Sequence, residues 1–133
     1  MMTDMMKALR FGLVLALCPA SAFAQTHTKQ VLTGYKCMML AKQWAGEGPA
    51  PPPVPVYDGP SAGAKQIGIA GGTVIIPTLA QSINGRVSMV RINGEKAWID
   101  ATQIVPWASK ADPSATCRPV ILANGRYGTD SGR

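Results

Sequence analysis

Short apolar runs punctuated by Asn-Gly pairs constrain this chain more than any other feature of it. Asn84-Gly85 and Asn93-Gly94 each lie between such runs, and Asn124-Gly125 repeats the pattern further on. Asn-Gly is a strong hairpin signal because both residues tolerate the positive φ that a tight two-residue turn requires. The stretch from Val54 to Ile104 therefore reads as a series of β runs: Val54 to Tyr57, Ile67 to Ile69, Thr73 to Ile76, Arg86 to Ile92 and Lys96 to Ile99. Thr102 to Ile104 reads as a short closing turn or strand that Pro106 stops. Asp58-Gly59-Pro60-Ser61 and Gly71-Gly72 supply the remaining turns. Partial alternation of apolar and polar residues in these runs predicts a small, strongly bent antiparallel sheet that closes into a barrel.

The first residues have a different character. A basic start with Lys7 and Arg10, an apolar run from Phe11 to Leu17 and the small-residue end Ala22-Phe23-Ala24 describe a secretory signal peptide over residues 1–24. The apolar run is shorter than the roughly 20 residues a membrane-spanning helix needs. Leu17 stands before Cys18 where a lipidation signal carries a small residue, so Cys18 is read as discarded with the signal. Cleavage after Ala24 would leave 109 of the 133 residues, one domain's worth. It would remove Lys7, Arg10 and Asp4 and leave a net charge of +5, against +6 for the whole chain. The Lys and Arg residues are scattered, which together with export argues against nucleic-acid binding. The expected address is the periplasm or the periplasmic face of the inner membrane.

Two cysteines remain, Cys37 and Cys117, and a pair in a small exported domain predicts a disulfide. Around the first of them the spacing changes. With Thr33 as cap, Cys37, Leu40, Ala41 and Trp44 fall at i, i+3, i+4 and i+7, which predicts a helix ended by Gly46, Gly48 and Pro49. Off that stripe, Met38 and Met39 are either packing residues or an adaptable contact for another protein. Pro49, Pro51, Pro52, Pro53 and Pro55 then favour an extended, semi-rigid connector. Beyond the barrel, residues 107–133 read as an extension anchored by Cys117. Within it, Val120 to Ala123 and Arg126-Tyr127 could form a small hairpin around Asn124-Gly125, while Gly128 to Arg133 is expected to be disordered unless a partner orders it. The resulting expectation is a mainly β chain in four parts: signal peptide 1–24, helix and connector 25–53, barrel 54–106 and extension 107–133.

The barrel stretch resembles the bacterial SH3-like domain. The resemblance is carried by Val56-Tyr57, Gly59-Pro60-Ser61, Ile67-Gly68, Gly72-Thr73-Val74, Val90-Arg91-Ile92-Asn93-Gly94, Ala97-Trp98-Ile99 and the closing Ile104. It covers about half of the chain left after cleavage. Ala97 stands where the family has glycine in Gly-Trp-Val, a departure that bears on close backbone approach there. The resemblance implies an SH3-like barrel, with a groove near Tyr57, Trp98 and Arg91 able to hold a cell-wall or peptide ligand.

Catalysis finds little support in the residues. The single histidine, His27, lies near the expected new terminus and has no second histidine to complete a metal site. Glu47, Asp58, Glu95, Asp100, Asp112 and Asp130 fall mostly in expected turns and linkers, and no phosphate-cradling glycine pattern or Cys-x-x-Cys-His occurs. The chain is therefore read as a non-enzyme without metal or cofactor, working by contact. The main expectation is a small accessory subunit of an extracytoplasmic or membrane-associated complex, contributing stability, assembly or attachment. The overall layout resembles, weakly, the small third subunit of membrane-bound quinoprotein alcohol dehydrogenases. Candidate partner contacts are Met38, Met39, Trp44, Tyr57, Arg91 and Trp107. The second expectation is a cell-wall or peptide-binding targeting module.

Overall fold

The computed structural model describes residues 28–44 and 46–132. The expected signal peptide, residues 1–24, and His27 lie outside the described residues. The described chain is mainly β: β1 (Thr28–Val31), β2 (Tyr35–Leu40), β3 (Pro55–Tyr57), β4 (Gln66–Ile69), β5 (Thr73–Pro77), β6 (Ser82–Ile83), β7 (Arg86–Val90), β8 (Lys96–Asp100), β9 (Ile104–Pro106), β10 (Thr116–Leu122) and β11 (Tyr127–Gly132). One 3-10 turn, Ala101–Gln103, leads from β8 into β9. The large antiparallel sheet runs β4-β3-β8-β7-β5-β2-β9, with β6 paired to β7; a second, three-stranded sheet runs β1-β10-β11.

The turns form where the Asn-Gly pairs place them, in two forms. Asn84 and Gly85 both take positive φ, 53° and 79°, as a two-residue hairpin between Ile83 and Arg86 requires. The other two turns place only the glycine there, Gly94 at 87° and Gly125 at 86°. In these, the amide of Gly94 donates to the Arg91 carbonyl and that of Gly125 to the Leu122 carbonyl. The Asn93 and Asn124 side-chain oxygens accept from the amides of Glu95 and Arg126, so the asparagine side chain takes over part of the turn's hydrogen bonding.

One face of the large sheet holds the main core: Val54, Val56, Val74, Ile76, Met89, Ala97, Ile99 and Ile104, with Met38, Leu40, Ile67 and Val87 packed against it. Residues two apart on β5 and β8 enter it together, the period of a pleated strand. The core collects side chains from β3 and β4 at one end of the sheet and from β2 and β9 at the other.

The expected helix is absent: Thr33 and Gly34 form a turn, Gly34 at φ 84°, and Tyr35–Leu40 is β2. β2 pairs with β5 on one side and β9 on the other. Both of its faces are used. Met38 and Leu40 pack on the main core, while Cys37 points outward and is bonded to Cys117 of β10. A strand covered on both faces reads as a continuous apolar run, and a short run of that kind fits helical spacing equally well.

The C-terminal part also differs from its expectation. Far from lacking order, 128–132 lies in β11, paired along its length with β10. The hairpin around Asn124-Gly125 is longer than the expected one, and β1 adds a third strand, Val31 opposite Val120. This sheet has its own buried residue in Val120, which is fully buried, and Arg118 Nη2 bonds Asp130 Oδ2 across it at 2.6 Å. It joins the large sheet through Cys37–Cys117 and through Tyr127, whose amide donates to the Ile92 carbonyl. The Tyr127 ring lies over Gly94, where an added Cβ would come within 3.2 Å of it.

Candidate functional site

Strand alternation sorts the expected contact residues before any side chain is considered. Val56 and Tyr57 are neighbours on β3 and so point to opposite faces. Tyr57 is paired with Trp98, placing both rings on the outer face, and Trp98 is only 6% exposed there. Lys96 Nζ lies 5.0 Å from the Trp98 ring centroid and donates to Gln81 Oε1.

The cation at Tyr57 is Arg86, not Arg91. The Arg86 guanidinium sits 3.5 Å from the Tyr57 ring centroid. Its Nε donates to Asp100 Oδ1 at 3.1 Å, and its Nη1 donates to the Gly59 and Ser61 carbonyls at 3.2 and 2.8 Å. One side chain thus ties the turn after β3 to the end of β8. Arg91 lies elsewhere: Nη2 donates to the Ile67 carbonyl at 3.3 Å and would be 3.0 Å from a Cβ on Gly68, the partner of Val56. Tyr57, Trp98 and Arg91 therefore do not share a groove.

Because Arg86 is 12% exposed and holds a carboxylate, two carbonyls and a ring, Arg86→Ala is expected to cost about 2–3 kcal/mol. Arg86→Lys should recover less than half of that, since an ammonium cannot reproduce the planar fork. Urea unfolding of the two variants checks this; a loss under about 0.5 kcal/mol for the alanine variant would contradict it.

Two depressions on another side of the sheet meet at Ala70–Gly72, the turn between β4 and β5. The larger, about 440 Å³, has Val56, Val74 and Met89 of the core in its floor, and Ile69, Arg91, Ile92 and Tyr127 among its lining residues. The smaller, about 260 Å³, is lined by Leu40, Lys42, Trp44 and the prolines at 51, 52 and 53. Both include Ala70. Three large apolar side chains along this joined groove stand in solvent: Trp44 is 59% exposed, Ile69 62% and Ile92 61%. Trp44 is held by its ring nitrogen, which donates to the Gly48 carbonyl at 3.2 Å and closes the loop before the prolines.

Of the six expected contacts, the structure brings Trp44 and Arg91 to this groove. Met38 and Met39 are half-buried in β2, Tyr57 is capped by Arg86, and Trp107 is half-buried after β9. Ile69, Ile92 and Lys42 were not among them. The two isoleucines read as the last residues of strands, each directly before a turn, Ala70-Gly71-Gly72 or Asn93-Gly94, where a strand's cover ends. Among the described residues no group of three or more His, Cys, Asp or Glu side chains could hold a metal ion, and no helix is long and apolar enough to cross a membrane. Asp58, Asp100 and Asp130 are engaged by the Lys65 amide, Arg86 and Arg118. No family model matches the sequence, and no curated protein or solved structure is significantly similar to it.

Proposed function

We propose that this is a non-catalytic contact protein, a small accessory subunit of an extracytoplasmic or membrane-associated complex. The observation that carries the reading is the joined groove with Trp44, Ile69 and Ile92 exposed along it. Singly exposed apolar residues are ordinary, but several around one concave, partly apolar surface mark a place where another molecule sits. The Cys37–Cys117 bond supports an oxidising compartment and suits a small domain that must hold two sheets together. In this reading the large sheet is an SH3-like barrel serving as scaffold, and the three-stranded sheet is its stapled extension. The weak resemblance in layout to the third subunit of quinoprotein alcohol dehydrogenases makes a large extracytoplasmic dehydrogenase the first complex to test.

Purification of the chain from its own cells under mild conditions, with mass spectrometry of what stays bound, tests the proposal. A stoichiometric larger envelope protein is the expected result. A monomer that never co-purifies with a larger protein would overturn it.

A further inference from the structure

The joined groove has a charge pattern and a backbone pattern that together describe its occupant. Among the described residues its lining holds two cations, Lys42 toward one end and Arg91 toward the other, and no carboxylate. Glu95 approaches Arg91 only to 4.0 Å and is itself 66% exposed, so it screens that charge weakly. Beside Arg91 in the larger depression are the exposed Ile69 and the core residues of the floor.

The backbone narrows the choice further. β4 ends the large sheet and β11 ends the three-stranded one. Ile69 of β4 and Tyr127, Gly128 and Thr129 of β11 line the same depression. An edge strand presents N–H and C=O groups that an extended chain can pair with, and here two such edges border one channel. Part of each edge is already engaged, since Arg91 donates to the Ile67 carbonyl of β4 and the Tyr127 amide of β11 donates to the Ile92 carbonyl. At the far end, Trp44 and the prolines offer flat apolar surfaces suited to another extended stretch of chain. A compact small molecule would use only one of the two depressions.

We infer that the joined groove binds an extended segment of a partner protein, apolar at its centre and carrying acidic residues that meet Lys42 and Arg91. This rests on the accessory-subunit reading and names the site and the chemistry of the partner segment. The central apolar side chain of the segment lies over Val56, Val74 and Met89. Its backbone runs along the edge of β4 or β11, and its acids set the register.

The test places a photo-cross-linking benzoyl-phenylalanine at Trp44, Ile69 or Ile92 of the full chain in its own cells, and at Leu79 and Ile83 as exposed controls, 92% and 42% exposed. Cross-linked peptides are then sequenced by mass spectrometry. The expected result is that all three groove positions capture one partner segment with an apolar centre and acidic residues, while the controls do not. Lys42→Glu should lower the yield about threefold and the Lys42→Glu, Arg91→Glu pair about tenfold. Because Arg91 also contacts β4, the exposed Lys42 variant alone, with an unchanged melting midpoint, carries the charge test if the pair unfolds. Capture of a basic segment, or of a second copy of this chain, would overturn the inference. So would a partner that co-purifies in full but cross-links only at the controls, which leaves the accessory-subunit reading standing. Absence of any partner by both cross-linking and co-purification would overturn both.

Discussion

Replacing Cys37 and Cys117 together by serine is expected to destabilise the protein by about 3–4 kcal/mol. The bond closes a loop of sequence separation 80, for which the chain-entropy estimate is about 4.5 kcal/mol, an upper figure because the unfolded chain retains some structure. A domain of this size has a net stability of roughly 5–15 kcal/mol, so the loss is a large share of the whole. The effect should also be uneven. The three-stranded sheet meets the large one through this bond and through Tyr127 on Gly94, so losing the bond removes its only covalent tie near Cys117. Amides of β10 and β11 should therefore gain hydrogen exchange before those of β7 and β8. Guanidinium unfolding and exchange measured on the same variant check both statements; a loss below about 1 kcal/mol with uniform exchange would contradict them.

Ile99→Ala should lower stability by about 3–4 kcal/mol, the usual cost of truncating a fully buried isoleucine and leaving a cavity. Ile99 has no exposed surface and lies in the main core with Val56, Val74 and Met89. Ile69→Ala removes the same atoms from a strand residue that is 62% exposed and should change stability by less than about 0.5 kcal/mol. The comparison tests register as well as burial. In β8 the pairs Val87–Ile99 and Ser88–Trp98 put Ile99 inward and Trp98 outward, and a slip of one residue would exchange them. A cost for Ile99→Ala no greater than that for Ile69→Ala in urea unfolding would reject the register.

Apart from β6, which the sequence reading missed, the strands between Val54 and Ile104 were legible because their turns are local. Asn84-Gly85 fixes its hairpin by backbone conformation alone, and Gly94 and Gly125 do so with help from the preceding asparagine side chain. β2 was not legible, since Tyr35–Leu40 owes its shape to β5, β9 and β10, all distant in sequence. β1 and β11 were hidden for the same reason: Gly128–Gly132 is poor in apolar residues and is ordered by its ladder with β10 rather than by any core of its own. The disulfide was readable from a count of two, whereas its effect of joining two sheets required the topology.

The site was only partly legible. Trp44 and Arg91 stood out as residue types, but Trp44 sits in the loop after β2, and the face Arg91 occupies depends on alternation along β7, which it directly follows. That alternation separates Arg91 from Tyr57 and brings Arg86 to the ring instead. Ile69 and Ile92 were read only as the last residues of strands, and composition alone does not say whether a strand-end isoleucine is covered. Only the assembled sheet shows that its cover stops short of them.

The most direct measurement is co-purification of a triple variant, Trp44→Ala with Ile69→Thr and Ile92→Thr, beside the unaltered chain expressed at the same level in its own cells. All three side chains are more than half exposed, so the melting midpoint should stay within a few degrees of the original. The account predicts that the folded variant loses its larger partner, by at least about tenfold in recovered amount. Full retention of the partner by the folded variant would contradict it.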